Sequence, residues 1–391
     1  MTDRPSVGLI TVARCWGRIG CVGFGGPPAH LALLRQLCVT EREWLTANEF
    51  EDAVAATSLL PGPASTQMAI WCAWRVRGPA GAVVGGLAFI VPGLVIILGL
   101  SVLFLGHRPP VWVLGAAAGA GAAVPAVAVN AAAGLFPASW SRAGPFGRPA
   151  QARWVGYLVV GMAAGATAGP WLVLVLLACG AFEAALRLGR RPPAAGLGLT
   201  VLPLAAPLAG VVVGGLAALA WVAFKVGALS YGGGFVIVPL MQHDAVSRYH
   251  WMTAAQFLDA VALGQVTPGP VVLTVSVVGY AAAGVAGGLL AAVVAFTPSF
   301  AFVLGGGRHF DRVRSSRLAQ AFLAGAGPAT IGAIAGAAIP LAEGVHHLWQ
   351  AAILVAALPV LVLARRSVPL CLATAATIGV VAALLGAPIP H

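Results

Sequence analysis

The sequence predicts an all-α polytopic membrane protein, with about ten to twelve membrane segments in two homologous, inverted repeats whose equivalent helices are broken at Pro-Gly-Pro. Three observations carry this. Apolar residues make up 60% of the 391-residue chain and charged residues 8%, with a mean hydropathy of +0.94. That is more apolar surface than a water-soluble core covers. The chain also repeats itself. Moving 207 positions along, from Arg18 to Lys225, lays Gly20 on Gly227, Phe24-Gly25-Gly26 on Tyr231-Gly232-Gly233 and Trp44 on Trp251. The same step lays Asp52-Ala53-Val54-Ala55 on Asp259-Ala260-Val261-Ala262 and Pro61-Gly62-Pro63 on Pro268-Gly269-Pro270, without a gap. Finally, basic loops follow even-numbered spans in the first half (75–77, 142–153, 187–191) and the third and fifth spans in the second (308–317, 365–366). Basic loops stay cytoplasmic, so the halves read as facing opposite ways.

Taken in order, a short apolar helix at 7–23 carries Arg14 and Arg18 and runs into Gly23-Phe24-Gly25-Gly26-Pro27-Pro28, which does not continue a helix. A helical stretch at 29–38 is too short to span, and a polar link with Glu41, Arg42 and Glu43 leads to the interfacial anchor Trp44. The interrupted segment 49–76 follows, then spans at 80–105 and 111–135, a basic Pro/Gly-rich loop at 137–153, and paired stretches at 154–168 and 170–187. The linker 189–198, GRRPPAAGLG, divides a first repeat (1–188) from a second (199–391). The order then recurs: a helix at 209–230 with Lys225, a glycine break at 232–234, a link to Trp251, the interrupted segment 254–283, and spans at 286–304, 318–342, 348–364 and 368–387. This count is even, whereas inversion needs an odd number of crossings between equivalent helices. At least one stretch is therefore re-entrant or miscounted, and the pairs 154–187 and 197–224 are the leading candidates.

Pro-Gly-Pro removes two backbone donors, so each interrupted segment reads as two half-helices. The second half-helix in the first copy opens at Ala64-Ser65-Thr66-Gln67. There unpaired N–H groups carry the positive end of the helix dipole, and the side chains add donors; this suits an anion. Arg18 and Lys225, seven residues before the matched glycine pairs, read either as a symmetric pair of cations for a dianion or as snorkelling side chains. Asp52 and Asp259 match nine residues before each Pro-Gly-Pro. Together with Glu49 and His30 they form a set of proton-coupling or structural residues.

Other chemistry is excluded by what the sequence lacks. There is no GxxxxGK[ST], HEXXH or GXSXG, so neither ATP-driven pumping nor an enzyme is expected. The six cysteines have no CxxC or zinc spacing, and no metal or cofactor is expected. The start, MTDRPSVGLITVARCWG, has no signal-peptide pattern.

At these residues the sequence resembles the chromate ion transporter (CHR) family. The likeness rests on FGGPPAHLALL at 24–34, REWL at 42–45, EFEDAVAATSLLPGPASTQMAI at 49–70, YGGGFVIVPLM at 231–241 and QFLDAVALGQVTPGP at 256–270. The resemblance implies a bacterial inner-membrane carrier of two opposed domains that moves chromate outward and interacts with sulfate, a similar dianion. The bilayer and a homodimeric second copy are the other partners it admits; nucleic acid is not among them. The alternatives are a sulfate or other anion uptake carrier, or an anion channel. Carried over residue by residue, the signature positions are Gly25, Gly26, Pro27, Asp52, Pro61, Gly62, Pro63, Ser65, Thr66 and Gln67, with Gly232, Gly233, Asp259, Pro268, Gly269, Pro270 and Thr274 in the second copy. There Pro27, Ser65 and Thr66 become Gly234, Val272 and Leu273, which leaves the second copy poorer in donors.

Overall fold

The computed structural model describes residues 7–57, 62–106, 109–143, 147–167, 171–189, 215–230, 237–306 and 316–389. These form fourteen α-helices: α1 (Leu9–Val22), α2 (Pro27–Arg35), α3 (Ala47–Thr57), α4 (Ala64–Leu105), α5 (Val111–Ala143), α6 (Gly147–Thr167), α7 (Leu172–Leu188), α8 (Leu216–Leu229), α9 (Ile237–Gln242), α10 (Ala254–Val266), α11 (Thr274–Gly306), α12 (Arg317–Ala342), α13 (Leu348–Val362) and α14 (Val368–Leu384). With their length and apolarity, the chain is an all-α, multi-pass membrane protein. Most of the linker 189–198 lies outside the described residues.

Backbone detail recurs at the spacing found in the sequence. α1 and α8 match end for end, and α2 and α9 each run into a π-helical turn, Gln36–Glu41 and His243–Arg248. Positive φ follows at Glu43 (51°) and His250 (52°), then at Gly62 (118°) and Gly269 (99°). Beyond the Pro-Gly-Pro turns the step shortens by one residue: Gly78 (φ 66°, ψ −159°) answers Gly284 (φ 62°, ψ −156°).

At those two glycines the chain reverses. In a straight helix Gly288 would lie about 18 Å from Ser276, yet a Cβ on Gly288 would stand 2.8 Å from the Ser276 carbonyl oxygen. In α4, Gly81 and Gly85 likewise pack on Ala73. A positive φ in an open turn is what glycine permits and an L-residue resists. So α4 is two antiparallel arms, residues 64–76 and 79–105. α3 lies beside the first arm, with Glu49 at the start of one ion-paired to Arg75 at the end of the other. The segment read from sequence as one broken crossing is therefore a helical hairpin that enters and leaves on the same side. Residues 154–187 form the separate helices α6 and α7, and most of 197–224 lies outside the described residues.

The expected loop 137–153 is mostly helical. Trp154 packs edge-on against Phe136 and Trp140 and donates from Nε1 to Ser139 Oγ at 3.0 Å, which holds the end of α5 and the start of α6 together.

Small residues bring the helices close. α1 runs along the second arm of α4, where Gly20 faces the Phe89 carbonyl; α8 runs along α11, where Gly227 faces the Ala295 carbonyl. The second arms of α4 and α11 are antiparallel, Gly86 meeting Phe300 at one end and Gly288 meeting Leu98 at the other. α5 packs on α14 through Gly115, Gly119 and Gly379, and α12 packs on α6 through Gly161, Gly165, Gly332 and Gly336. Each half thus carries outer helices that belong to the other half.

Candidate functional site

The two Pro-Gly-Pro turns end buried in the bundle, each against the first described helix of the opposite half. The Gly62 N–H donates to the Ser230 carbonyl and the Gly269 N–H donates to the Gly23 carbonyl, both at 3.1 Å. The open amides expected from sequence are those at Ala64-Ser65-Thr66-Gln67, one step beyond the turn; the Gly62 and Gly269 amides within the turns are spent on cross-half bonds. Pro61, Gly232 and Gly233 lie outside the described residues.

At the first turn Gly62, Pro63, Ser65, Thr66 and Gln67 are all buried. Among the described residues Thr66 Oγ1 and Ser230 Oγ have no hydrogen-bond partner. The Gln67 amide nitrogen sits where a Cβ on Gly62 would meet it at 2.5 Å. At the second turn the Pro268 carbonyl lies against Gly93 of α4. Pro270 leads into a 3₁₀ turn, Val271–Leu273, and the Thr274 hydroxyl donates to the Val271 carbonyl at 2.8 Å, so it is already used. The first turn is the richer in donors, as the substitutions of Ser65 and Thr66 in the second copy lead one to expect.

The glycine break also serves this junction. Gly25 and Gly26 have φ of 99° and 74°, and Gly26 lies beside Val271. Pro27 and Pro28 then start α2, where a missing N–H costs nothing. His30 is fully buried; its Nε2 lies 2.9 Å from the Gly23 carbonyl oxygen and its ring stands edge-on to Phe89. Gly23 therefore receives bonds from both His30 and Gly269.

The two cations have unlike surroundings. Lys225 is ion-paired to Asp244 of the π-helical turn. Arg18 is exposed on α1, without a partner among the described residues. The physical reason is one side chain: the position equivalent to Asp244 is Leu37. The carboxylates differ as well. Glu49 caps α3, accepting from Thr46 N–H at 2.9 Å and Oγ1 at 3.1 Å besides binding Arg75. Its counterpart Gln256 completes the same box with Thr253, so both are structural. Asp52 is exposed, whereas Asp259 faces α5, where a Cβ on Gly121 would meet its Oδ1 at 2.8 Å.

Sequence reasoning missed Asp244 and a second cluster. Glu183 of α7, 2% exposed, accepts from Arg153 Nε (2.8 Å) and Nη2 (3.2 Å), Tyr157 Oη (2.9 Å) and Arg187 Nε (2.6 Å). A cavity of about 260 Å³ opens beside it, where the ends of α5 and α7 meet the starts of α6 and α12. A lone acid within the apolar run VLVLLACGAFEAALRL was the available signal.

Comparison with known proteins agrees with this architecture. The sequence profile of the family described as chromate transporter matches residues 10–184 and 217–386. A chromate transport protein of Cupriavidus metallidurans is 31% identical over 97% of this chain and 94% of its own length. One from Pseudomonas aeruginosa is 32% identical over 83% of this chain and 79% of its own, and a probable one from Synechococcus elongatus is 28% identical over 88% and 87%. No solved structure matches the chain. Two family matches that between them take in both cross-tied turns leave no doubt of kinship: this multi-pass protein belongs to the chromate transporter family.

Proposed function

We propose that the chain is a secondary carrier that moves chromate out of the cell across a bacterial inner membrane, by rocking one inverted repeat against the other. The observation that carries the substrate is likeness over nearly the whole chain to proteins named for chromate transport. Inversion is supported by the antiparallel second arms of α4 and α11. Equivalent helices that cross antiparallel are related by an axis perpendicular to both, and for membrane spans that axis lies in the membrane plane. Clustering of Arg148, Arg187 and Arg317 near the cavity end of α5, α6, α7 and α12 agrees with a cytoplasmic face there.

In the proposed site the dianion meets Lys225 and the donors Thr66 Oγ1 and Ser230 Oγ beside the first turn, with Arg18 supplying charge from α1. Gly25, Gly26 and the two Pro-Gly-Pro turns shape the junction, and Asp259 is the second-half carboxylate inside the bundle. The test is radiolabelled chromate flux in proteoliposomes under an imposed pH gradient, with sulfate as competitor. Saturable chromate flux that sulfate inhibits is the expected result. Preference for sulfate would reassign the substrate, flux without saturation or counter-ion movement would make the protein a channel, and absence of flux would refute the reading.

A further inference from the structure

We propose that Asp244 is the titrating counter-ion of the transport cycle, holding Lys225 while the site is empty and taking up a proton when the oxyanion takes Lys225 from it. This rests on the reading of Lys225 as an anion-binding cation. The geometry of the pair points to it. Asp244 is 2% exposed and Lys225 14%, and Asp244 Oδ1 is buried with no hydrogen-bond partner among the described residues. A buried carboxylate oxygen with no donor is costly, and a proton relieves that cost once the cation leaves.

Among the described residues, the helices packed around the pair bring no second cation to replace Lys225. It is the one charged residue of α8. α10, which packs on the turn, has Asp259 as its one titratable group, and that carboxylate faces Gly121 of α5. α12 carries no charge after Arg317 at its first position. On the turn itself stand His243 and Arg248, the latter over the Tyr249 ring at 5.1 Å. Asp244 itself sits in a π-helical turn, a conformation that recurs at functional sites. The first half has the same turn with Leu37 in place of the acid, so this device belongs to one half alone.

The balance is simple. As the dianion contacts the Lys225 ammonium, one proton from the aqueous phase on the open side binds the Asp244 carboxylate. When the anion leaves, that proton is released and the ion pair re-forms. One proton therefore accompanies each dianion.

The test uses the full chain in proteoliposomes, with initial rates of radiolabelled chromate uptake measured against concentration at several pH values above neutrality. The wild type should show KM rising with pH by up to about tenfold per unit, with kcat much less affected. Asp244→Asn should abolish that slope, Asp244→Glu should retain it, and Lys225→Gln/Asp244→Asn, with neither charge of the pair left, should fold but show a raised, pH-independent KM. A wild-type slope in Asp244→Asn would overturn the proposal, as would a wild-type KM in the double variant. Lowered thermal stability in both Asp244 variants, with the wild-type pH slope of KM kept in the flux that remains, would make the pair purely structural. Wild-type vesicles with no chromate flux at all would remove the parent reading itself.

Discussion

Replacing Gly269 with alanine isolates the contribution of a Pro-Gly-Pro turn, because its surroundings leave room for the methyl group. A Cβ there meets Leu273 Cδ1 at 3.5 Å and Gly93 Cα at 3.6 Å, ordinary contacts that add no collision. The cost is in the backbone: φ of 99° is strained for an L-residue by about 1–3 kcal/mol. If the chain relaxes instead, it loses the bond from the Gly269 N–H to the Gly23 carbonyl, worth about 0.5–1.5 kcal/mol. Either route weakens docking of the turn by at least about 0.5 kcal/mol, and each 1.4 kcal/mol is about a factor of ten. Chromate flux in Gly269→Ala should therefore fall about twofold to about a hundredfold, while yield and monodispersity in detergent stay near wild type. Gly62→Ala should be worse, since its Cβ also strikes the Gln67 amide. Full flux in Gly269→Ala would refute the claim that the docked turn is part of the transport machinery.

Other expectations follow from the same geometry. Glu183→Leu should lower stability by about 1–3 kcal/mol, less than for a wholly buried pair because Arg153 and Arg187 are 33% and 24% exposed; thermal unfolding in detergent measures it. Arg75→Gln breaks an ion pair whose partners are 36% and 26% exposed, and should change stability by less than about 1 kcal/mol in the same assay. Trp16→Phe removes the 2.8 Å bond from Nε1 to the Ala69 carbonyl and should cost about 1–2 kcal/mol, read as a lower Tm. Chromate flux in Arg18→Gln should fall with protein level unchanged if this exposed cation serves the anion, and wild-type flux would remove it from the site.

Much of the fold was legible because proline and charge are costly in a membrane. Pro61-Gly62-Pro63 and its copy announced the helix breaks, and the shared positions of Trp44 and Asp52 gave the register in which α1 and α8 later matched end for end. The reversal at Gly78 was not legible. In a chain with 51 glycines, one more inside an apolar run carries no mark of a turn. Lys225 was visible as an intramembrane cation, but its partner was not. Asp244 lies 19 residues away, beyond any local spacing, and Leu37 hides it from comparison between the copies. Likewise the carbonyls that occupy the amides of Gly62 and Gly269 were not legible, because only tertiary packing brings them there.

Those two amide bonds have a consequence for how the polypeptide can be made. Neither half closes its own innermost bend; the acceptor comes from its sibling. Cut in the 189–198 stretch and produced singly, each fragment should be unstable and inert. Co-produced, the fragments should find one another and restore activity.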